Sequence, residues 1–284
     1  MPYKTILVHL NDERRAPGLI AAGVATARAN NAHLVGLSVV PPTIIVPGMD
    51  GDPGAVIDEH RISYRAQAQR MRDAFDRATG VIAVPSAEWR EVDAEARNPF
   101  GLASAVVVEQ ARCADLVIAS QANPDWSLSS HLDVAEALAM ESGRPVLILP
   151  RSQTSAPQGE RIVVAWNGRR EAARAAFDAL PFLQAAKSVR VIWANPADEA
   201  QTAGEVPGVD LCAALARHGV SCEAAGHAQP GAGAGAALLS AVEAFDGDML
   251  VMGCYGHSRL REMVLGGATR HVMTHARVPV LLAH

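Results

Sequence analysis

Lysine is almost missing from this chain: of its 25 basic residues, only Lys4 and Lys187 are lysines. Neither lies near a glycine-rich stretch, which excludes a phosphate loop of the Gly-Lys-Ser/Thr type. Cysteine is scarce as well. Cys113, Cys212, Cys222 and Cys254 form no Cys-x-x-Cys pair, so a reducing cytoplasm fits best, with at least three of them expected as small buried residues. Long apolar runs are absent. No stretch reaches the ~18 uninterrupted apolar residues of a membrane span. The N-terminal "MPYKTILVHLND" has too short an apolar core, broken by His9, for a signal peptide. Positive charge is not in excess either: the net charge is −5, which argues against a general nucleic-acid binder.

What is present suits a folded protein. Hydrophobic residues make up 49% and charged residues 19% of 284 residues, enough for two domains that each bury a core. Strand-length apolar runs alternate with helical stretches. "TILVHLN" (5–11) is followed by an Ala-rich helix (18–31) and "HLVGLSVVPP" (33–42). A polar helix (56–80), "AEWREVD" (87–93), a helix (101–113), "ADLVIAS" (114–120), a helix near 131–142 and "RPVLILP" (144–150) complete the series. Such alternation predicts βαβ units, an α/β fold and a parallel sheet.

The second half repeats this order. It runs "RIVVAWNG" (161–168), a helix (170–183), "VRVIWANP" (189–196), a helix (208–219), "SCEAAGHA" (221–228), a helix (235–245), "DMLVMG" (248–253) and "VPVLLAH" (278–284). An offset of 156 places Ile6 on Ile162 and Asn11 on Asn167. From residue 101 to 150 an offset of 134 places Leu116 and Val117 on Leu250 and Val251, and Pro145 on Pro279. The first half therefore carries 22 extra residues, expected mostly in the Gly-, Pro- and Asp-rich "TIIVPGMDGDPGAV" (43–56). A polar, Pro-containing linker, "PRSQTSAPQGER" (150–161), separates the halves, giving a duplicated domain with its boundary near 155.

The halves differ in "GCYGHSRLREMVLGGATR" (253–270), which follows the last-but-one apolar run and opens a helix. Gly253, Gly256, Gly266 and Gly267 have the spacing Gly-x2-Gly-x9-Gly-Gly. Under the 134 offset they fall on Ala119, Ala122, Leu132 and Asp133. Ligands of open α/β sheets bind beyond the carboxyl ends of the strands. Glycines there let backbone N–H groups approach an anion, and a helix N-terminus favours negative charge by roughly 0.3–1 kcal/mol at exposed sites. A bare Gly-x2-Gly is weak evidence, because Gly48/Gly51 and Gly51/Gly54 satisfy it within an acidic loop. "GAGAG" (231–235) lacks the Gly-x-Gly-x-x-Gly spacing and reads as a flexible turn before a helix.

The full spacing, between a strand and a helix and closing in Val-Pro-Val-Leu-Leu, resembles the nucleotide-binding members of the universal stress protein family. Strand and helix order extends the resemblance to both halves, as in a tandem member with a degenerate first domain (1–154) and a motif-bearing second domain (155–284). It implies two Rossmann-like domains, each a five-stranded parallel sheet flanked by helices, that pair through their last strands. That pairing would join "PVLIL" (145–149) to "PVLLA" (279–283), as a pseudo-dimer within the chain or in a homodimer. It also implies an ATP site, with or without Mg2+. Ala165, Asn167 and Ala194 would lie near the ribose and base, with Met252 and Gly253 beside them. Gly256 and His257 would face the phosphates, and Gly266, Gly267 and Thr269 would cradle them. The sequence departs from the family twice: Asn167 stands where a ribose-binding aspartate is usual, and Gly267 where Ser or Thr is usual.

Several residues attract attention and are set aside. His271 and His275 have zinc-compatible spacing but no third ligand nearby. Arg259, Arg261 and Arg270 flank the motif, either as surface residues or as polyphosphate-steering charges. His9 reads as a buried strand histidine, and Asp50, Asp52, Asp58 and Glu59 as a solvated acidic loop. No nucleophile, base and orienting acid form a recognisable set, so catalysis is not supported. The resemblance implies a cytoplasmic stress sensor or regulator that binds an adenine nucleotide. Two other readings stand beside it: an interaction module without nucleotide, and a slow ATPase.

Overall fold

Continuous apolar runs become central strands buried on both faces, as parallel sheets covered by helices require. The computed structural model describes residues 2–42, 53–81, 84–97, 102–123, 134–194, 208–254 and 266–284. The first half contains β1 (Thr5–His9), α1 (Ala16–Asn30), β2 (His33–Val40), α2 (Pro53–Val81), β3 (Ser86–Asp93) and α3 (Ala94–Arg97). It continues with α4 (Ala103–Ala111), β4 (Leu116–Ser120), α5 (Ala135–Glu141) and β5 (Val146–Leu149). The second half contains β6 (Arg161–Ala165), α6 (Arg170–Asp178), α7 (Leu180–Ala185), β7 (Ser188–Ala194) and α8 (Val209–Ala216). It ends with β8 (Cys222–His227), α9 (Ala234–Ala244), β9 (Met249–Gly253), α10 (Gly267–His275) and β10 (Val280–Ala283).

Contacts divide the chain into two units. One comprises Tyr3–Leu138 and Thr154–Ala156; the other is built mainly of Ala139–Gln153 and Pro157–His284. In the first unit the strands run β3-β2-β1-β4, all parallel. In the second they run β5-β10-β9-β6-β7-β8. Only β5 there is antiparallel: it pairs β10, with Leu147 opposite Leu281. The pairing of "PVLIL" with "PVLLA" is thus made within the chain.

Both units are tied at the same point. The Asp115 carboxylate accepts the N–H groups of Lys4 and Thr5 at 2.7 and 3.0 Å, just before β1. Asp248 accepts those of Glu160 and Arg161, both at 2.8 Å, just before β6. Farther along, Leu10 N–H bonds Leu37 O and Trp166 N–H bonds Ile192 O, each at 2.8 Å. The 156 offset therefore holds at the first strands. Between β4 and β9 it is 133 rather than 134: Ile6 faces Leu116, and Ile162 faces Met249. Ser120, not Ala119, is the counterpart of Gly253. Matching Leu116-Val117 to Leu250-Val251 misled the sequence alignment, whereas the paired aspartates fix the true register.

Three further expectations change. The extra chain of the first half lies in a helix, since α2 has 29 residues against 8 in α8. The exposed Asp58 and Glu59 belong to α2 rather than to a loop, while Asp50 and Asp52 lie outside the described residues. The helix expected over 170–183 is two, because Pro181 sits in the first turn of α7, where its missing N–H costs no helical bond.

Packing follows from small and large residues in register. A Cβ on Gly36 of β2 would lie 2.9 Å from both Phe75 and Trp89, so its absence lets α2 settle on β2 and β3. Phe75 and Trp89 then meet with ring centroids 5.8 Å apart. In the second unit Arg161 and Arg190 lie over the Phe245 ring at 4.4 and 4.3 Å. Leu34, Leu116, Val163 and Leu281 are at most 1% exposed, each burial contributing roughly 1.5–3 kcal/mol before entropy. Among the described residues no helix is long and apolar enough to cross a membrane.

Candidate functional site

At the carboxyl ends of β6, β7 and β9 the second unit opens a cleft that is continuous with solvent. The strands contribute Ala165, Trp193, Ala194, Met252 and Gly253, and the segment after β6 contributes Trp166 and Asn167. Ala172 of α6, Ala234 and Leu238 of α9 and Ala268 of α10 complete the lining. Ala172, Ala234 and Ala268 all lie in the first turns of their helices, so three helix N-termini converge here. Their N-cap residues, Arg169, Gly233 and Gly266, make no side-chain capping bond. The first N–H groups of a helix have no intrahelical acceptor, and an anion can satisfy them. Helices α1 and α4 of the first unit also lack side-chain caps, so a missing cap alone does not mark a site.

Among the described residues the lining side chains carry no formal charge, and Asn167 is the one side-chain amide, beside the indole N–H groups of Trp166 and Trp193. Its Oδ1 accepts the N–H of Arg169 at 3.1 Å, a turn that fixes the side chain and leaves its NH2 as donor. Next to Ala172, Glu171 is buried. Burial pushes its carboxyl up, but the Arg170 guanidinium, 2.5 Å away, outweighs that and holds it below the usual range. The carboxylate beside the cleft is therefore paired rather than free to repel an anion.

The glycines divide by role. A Cβ on Gly253 would lie 2.5 Å from the Glu171 carbonyl carbon and 2.6 Å from Ala172 N, so glycine here lets α6 approach β9. Gly235, within "GAGAG", has the same use: a Cβ there would lie 2.8 Å from Ala268 O, where α9 meets α10. Only Gly231 of that run serves a turn at positive φ, +80°. Gly266 is the N-cap of α10 and Gly267 its first residue, exposed, with nothing within 4 Å of a Cβ. Thr269 is 2% exposed, buried in the first turn of α10, and does not line the cleft. Gly256 and His257, with Arg259 and Arg261, lie outside the described residues.

Sequence reasoning missed Trp166 and Trp193. The signal was available: the chain has four tryptophans, and these two stand at the ends of neighbouring strands. The cysteines also differ from expectation, since only Cys254 is buried, Cys212 and Cys222 are half-buried and Cys113 is exposed. His271 and His275 stack on α10 with ring centroids 4.3 Å apart. Among the described residues no group of three His, Cys, Asp or Glu is placed to hold a metal ion.

Residues 159–284 match the model of the universal stress protein family. The second half is a universal stress protein domain. The fold likeness spans the chain: 98% of it aligns with 95% of a universal stress protein from Archaeoglobus fulgidus DSM 4304, at a TM-score of 0.72 and 13% identity. It is also similar to a protein of unknown function from Pseudomonas aeruginosa PAO1, covering 99% of this chain and 92% of that one, at a TM-score of 0.55 and 18% identity. At such identities the likeness carries the fold. No curated protein matches the chain in sequence. The family resemblance drawn from the glycine spacing is thus borne out in the second half, and the tandem order of strands and helices agrees with two α/β units of mostly parallel, helix-flanked sheets.

Proposed function

We propose that the second domain binds an adenine nucleotide, ATP, in the cleft at the ends of β6, β7 and β9, and that the protein works as a stress sensor or regulator. The observation that carries this reading is the convergence of the starts of α6, α9 and α10 on one cleft at the strand ends. Ala165, Asn167, Ala194, Met252 and Gly253 lie where the ribose and base would rest. Gly266 and Gly267 are the N-cap and first residue of α10, which would cradle the phosphates; Gly256 and His257, outside the described residues, would face them. Asn167 supplies one amide where a carboxylate would make two stronger bonds to ribose hydroxyls, which lowers the affinity expected.

The first domain, up to about residue 154, is read as a degenerate copy. The place of Ala165 is taken there by His9, a larger side chain that is 2% exposed. Pairing of β5 with β10 inside the chain supplies the association that single-domain relatives would need a second copy to make.

The test is to denature freshly purified protein, filter it and identify what it releases by chromatography with mass detection. The wild type is expected to release an adenine nucleotide, and a folded Gly266→Trp variant none. Nothing released, and no heat on adding ATP in calorimetry, would overturn the reading in favour of an interaction module. Release of phosphate from added ATP, dependent on a divalent metal, would instead establish an ATPase.

A further inference from the structure

We propose that Trp166 and Trp193 form an aromatic platform that holds the ligand's ring, making the second domain selective for purine over pyrimidine nucleotides. This rests on the nucleotide reading of the same cleft. Both indoles line it, at the ends of adjacent strands. Trp166 is held beside β7 by its backbone N–H, which bonds Ile192 O at 2.8 Å, one residue before Trp193.

Each ring is backed by a glycine in a left-handed turn. A Cβ on Gly168 (φ +70°) would lie 3.9 Å from Cη2 of Trp193, and one on Gly208 (φ +91°) 3.5 Å from Cδ1 of Trp166. Such turns accept few other residues, so the walls behind both rings are fixed and the indoles are pre-organised. The corresponding positions in the first unit are Leu10 and Ser38, 0% and 4% exposed. Aromatic side chains at this pair of places occur only in the half that carries the glycine run.

With Asn167 as the one side-chain amide in the described lining, its Oδ1 taken by the Arg169 N–H and its NH2 assigned to the ribose, stacking area outweighs side-chain recognition of the base edge. A purine offers two fused rings to the indoles and a pyrimidine one. Stacking depends on that area and tolerates differences in the edge.

The experiment is a titration of the full chain with ATP, CTP and inorganic tripolyphosphate, read by tryptophan fluorescence and by calorimetry. Wild type, Trp166→Ala, Trp193→Ala and the two Trp→Phe variants are compared after circular dichroism shows each to be folded. ATP is expected to bind more tightly than CTP and to quench the wild-type fluorescence. Each Ala variant should lose about five- to a hundredfold in ATP affinity, the range given by base–aromatic stacking. Each Phe variant should recover most of that loss, and tripolyphosphate should bind all five proteins alike. Unchanged ATP binding in both Ala variants, or equal binding of ATP and CTP, overturns the platform and leaves the nucleotide site standing. No binding of either nucleotide by the wild type overturns both.

Discussion

His9 and Ala165 occupy the same place, the last residue of the first strand in each half: His9 is 2% exposed, whereas Ala165 lines the cleft. Burial lowers the pKa of His9 from 6.5 to about 4. Its folded-state pKa lies below the unfolded one, so between these values the unfolded chain binds more protons and stability falls with pH. The loss starts near pH 6.5, is complete near pH 4, and amounts to about 3 kcal/mol. Urea unfolding of the wild type and His9→Leu at several pH values tests this. The wild type should lose this much more stability than the variant on acidification, and parallel pH dependences would refute it.

Gly253 and Gly267 separate packing from ligand contact. Gly253→Ala forces a methyl into the Glu171–Ala172 backbone and should cost about 1–3 kcal/mol or more, seen as a lower melting temperature. Gly267→Ala meets open space at the first position of α10 and should be neutral or stabilise by about 0.4–1 kcal/mol. A loss of nucleotide binding in Gly267→Ala, with unchanged melting, would report directly on the helix N-terminus. The same loss in Gly253→Ala reports first on the docking of α6. Equal melting temperatures for the two variants would contradict this division.

Asp115 and Asp248 predict matched effects in the two units. Removing either carboxylate leaves two backbone N–H groups at the start of a central strand without their acceptor. Asp115→Ala and Asp248→Ala should each cost about 1–3 kcal/mol, with Asn variants in between because one side-chain oxygen remains. Chemical denaturation of the four variants checks it. A cost confined to one aspartate would mean that the two ties are not equivalent.

These residues also show how far the sequence could be read. Apolar runs alternating with helices made the strands legible, because a buried parallel strand leaves a continuous signal. Register was harder, since Leu116-Val117 matches Leu250-Val251 at 134, whereas the true offset of 133 sets it on Met249-Leu250. Only the chemistry of Asp115 and Asp248, polar residues with a fixed job, breaks the tie. The glycine spacing pointed to the correct strand ends but could not say which glycines touch a helix and which face open space. Trp166 and Trp193 stood visibly at the ends of two apolar runs, but that both line one cleft depends on how β6 and β7 lie side by side, which no local pattern encodes. Pro181, by contrast, marked the break between α6 and α7 in plain view.

The thiols give a last prediction. Burial first, and the neighbouring Cys222 second, push the Cys212 thiol up to about 12, so almost no thiolate forms near neutrality. Cys254 is 0% exposed, and its Sγ lies 3.3 Å from the Met140 sulfur. Cys113 is exposed at the turn between α4 and β4. Iodoacetamide at pH 8, followed by peptide mass mapping over time, should label Cys113 first, Cys212 far more slowly, and Cys254 only after unfolding. Labelling of Cys212 at the rate of Cys113 would show that its thiol is neither screened nor raised. Rapid labelling of Cys254 in the native protein would show instead that the end of β9 opens readily.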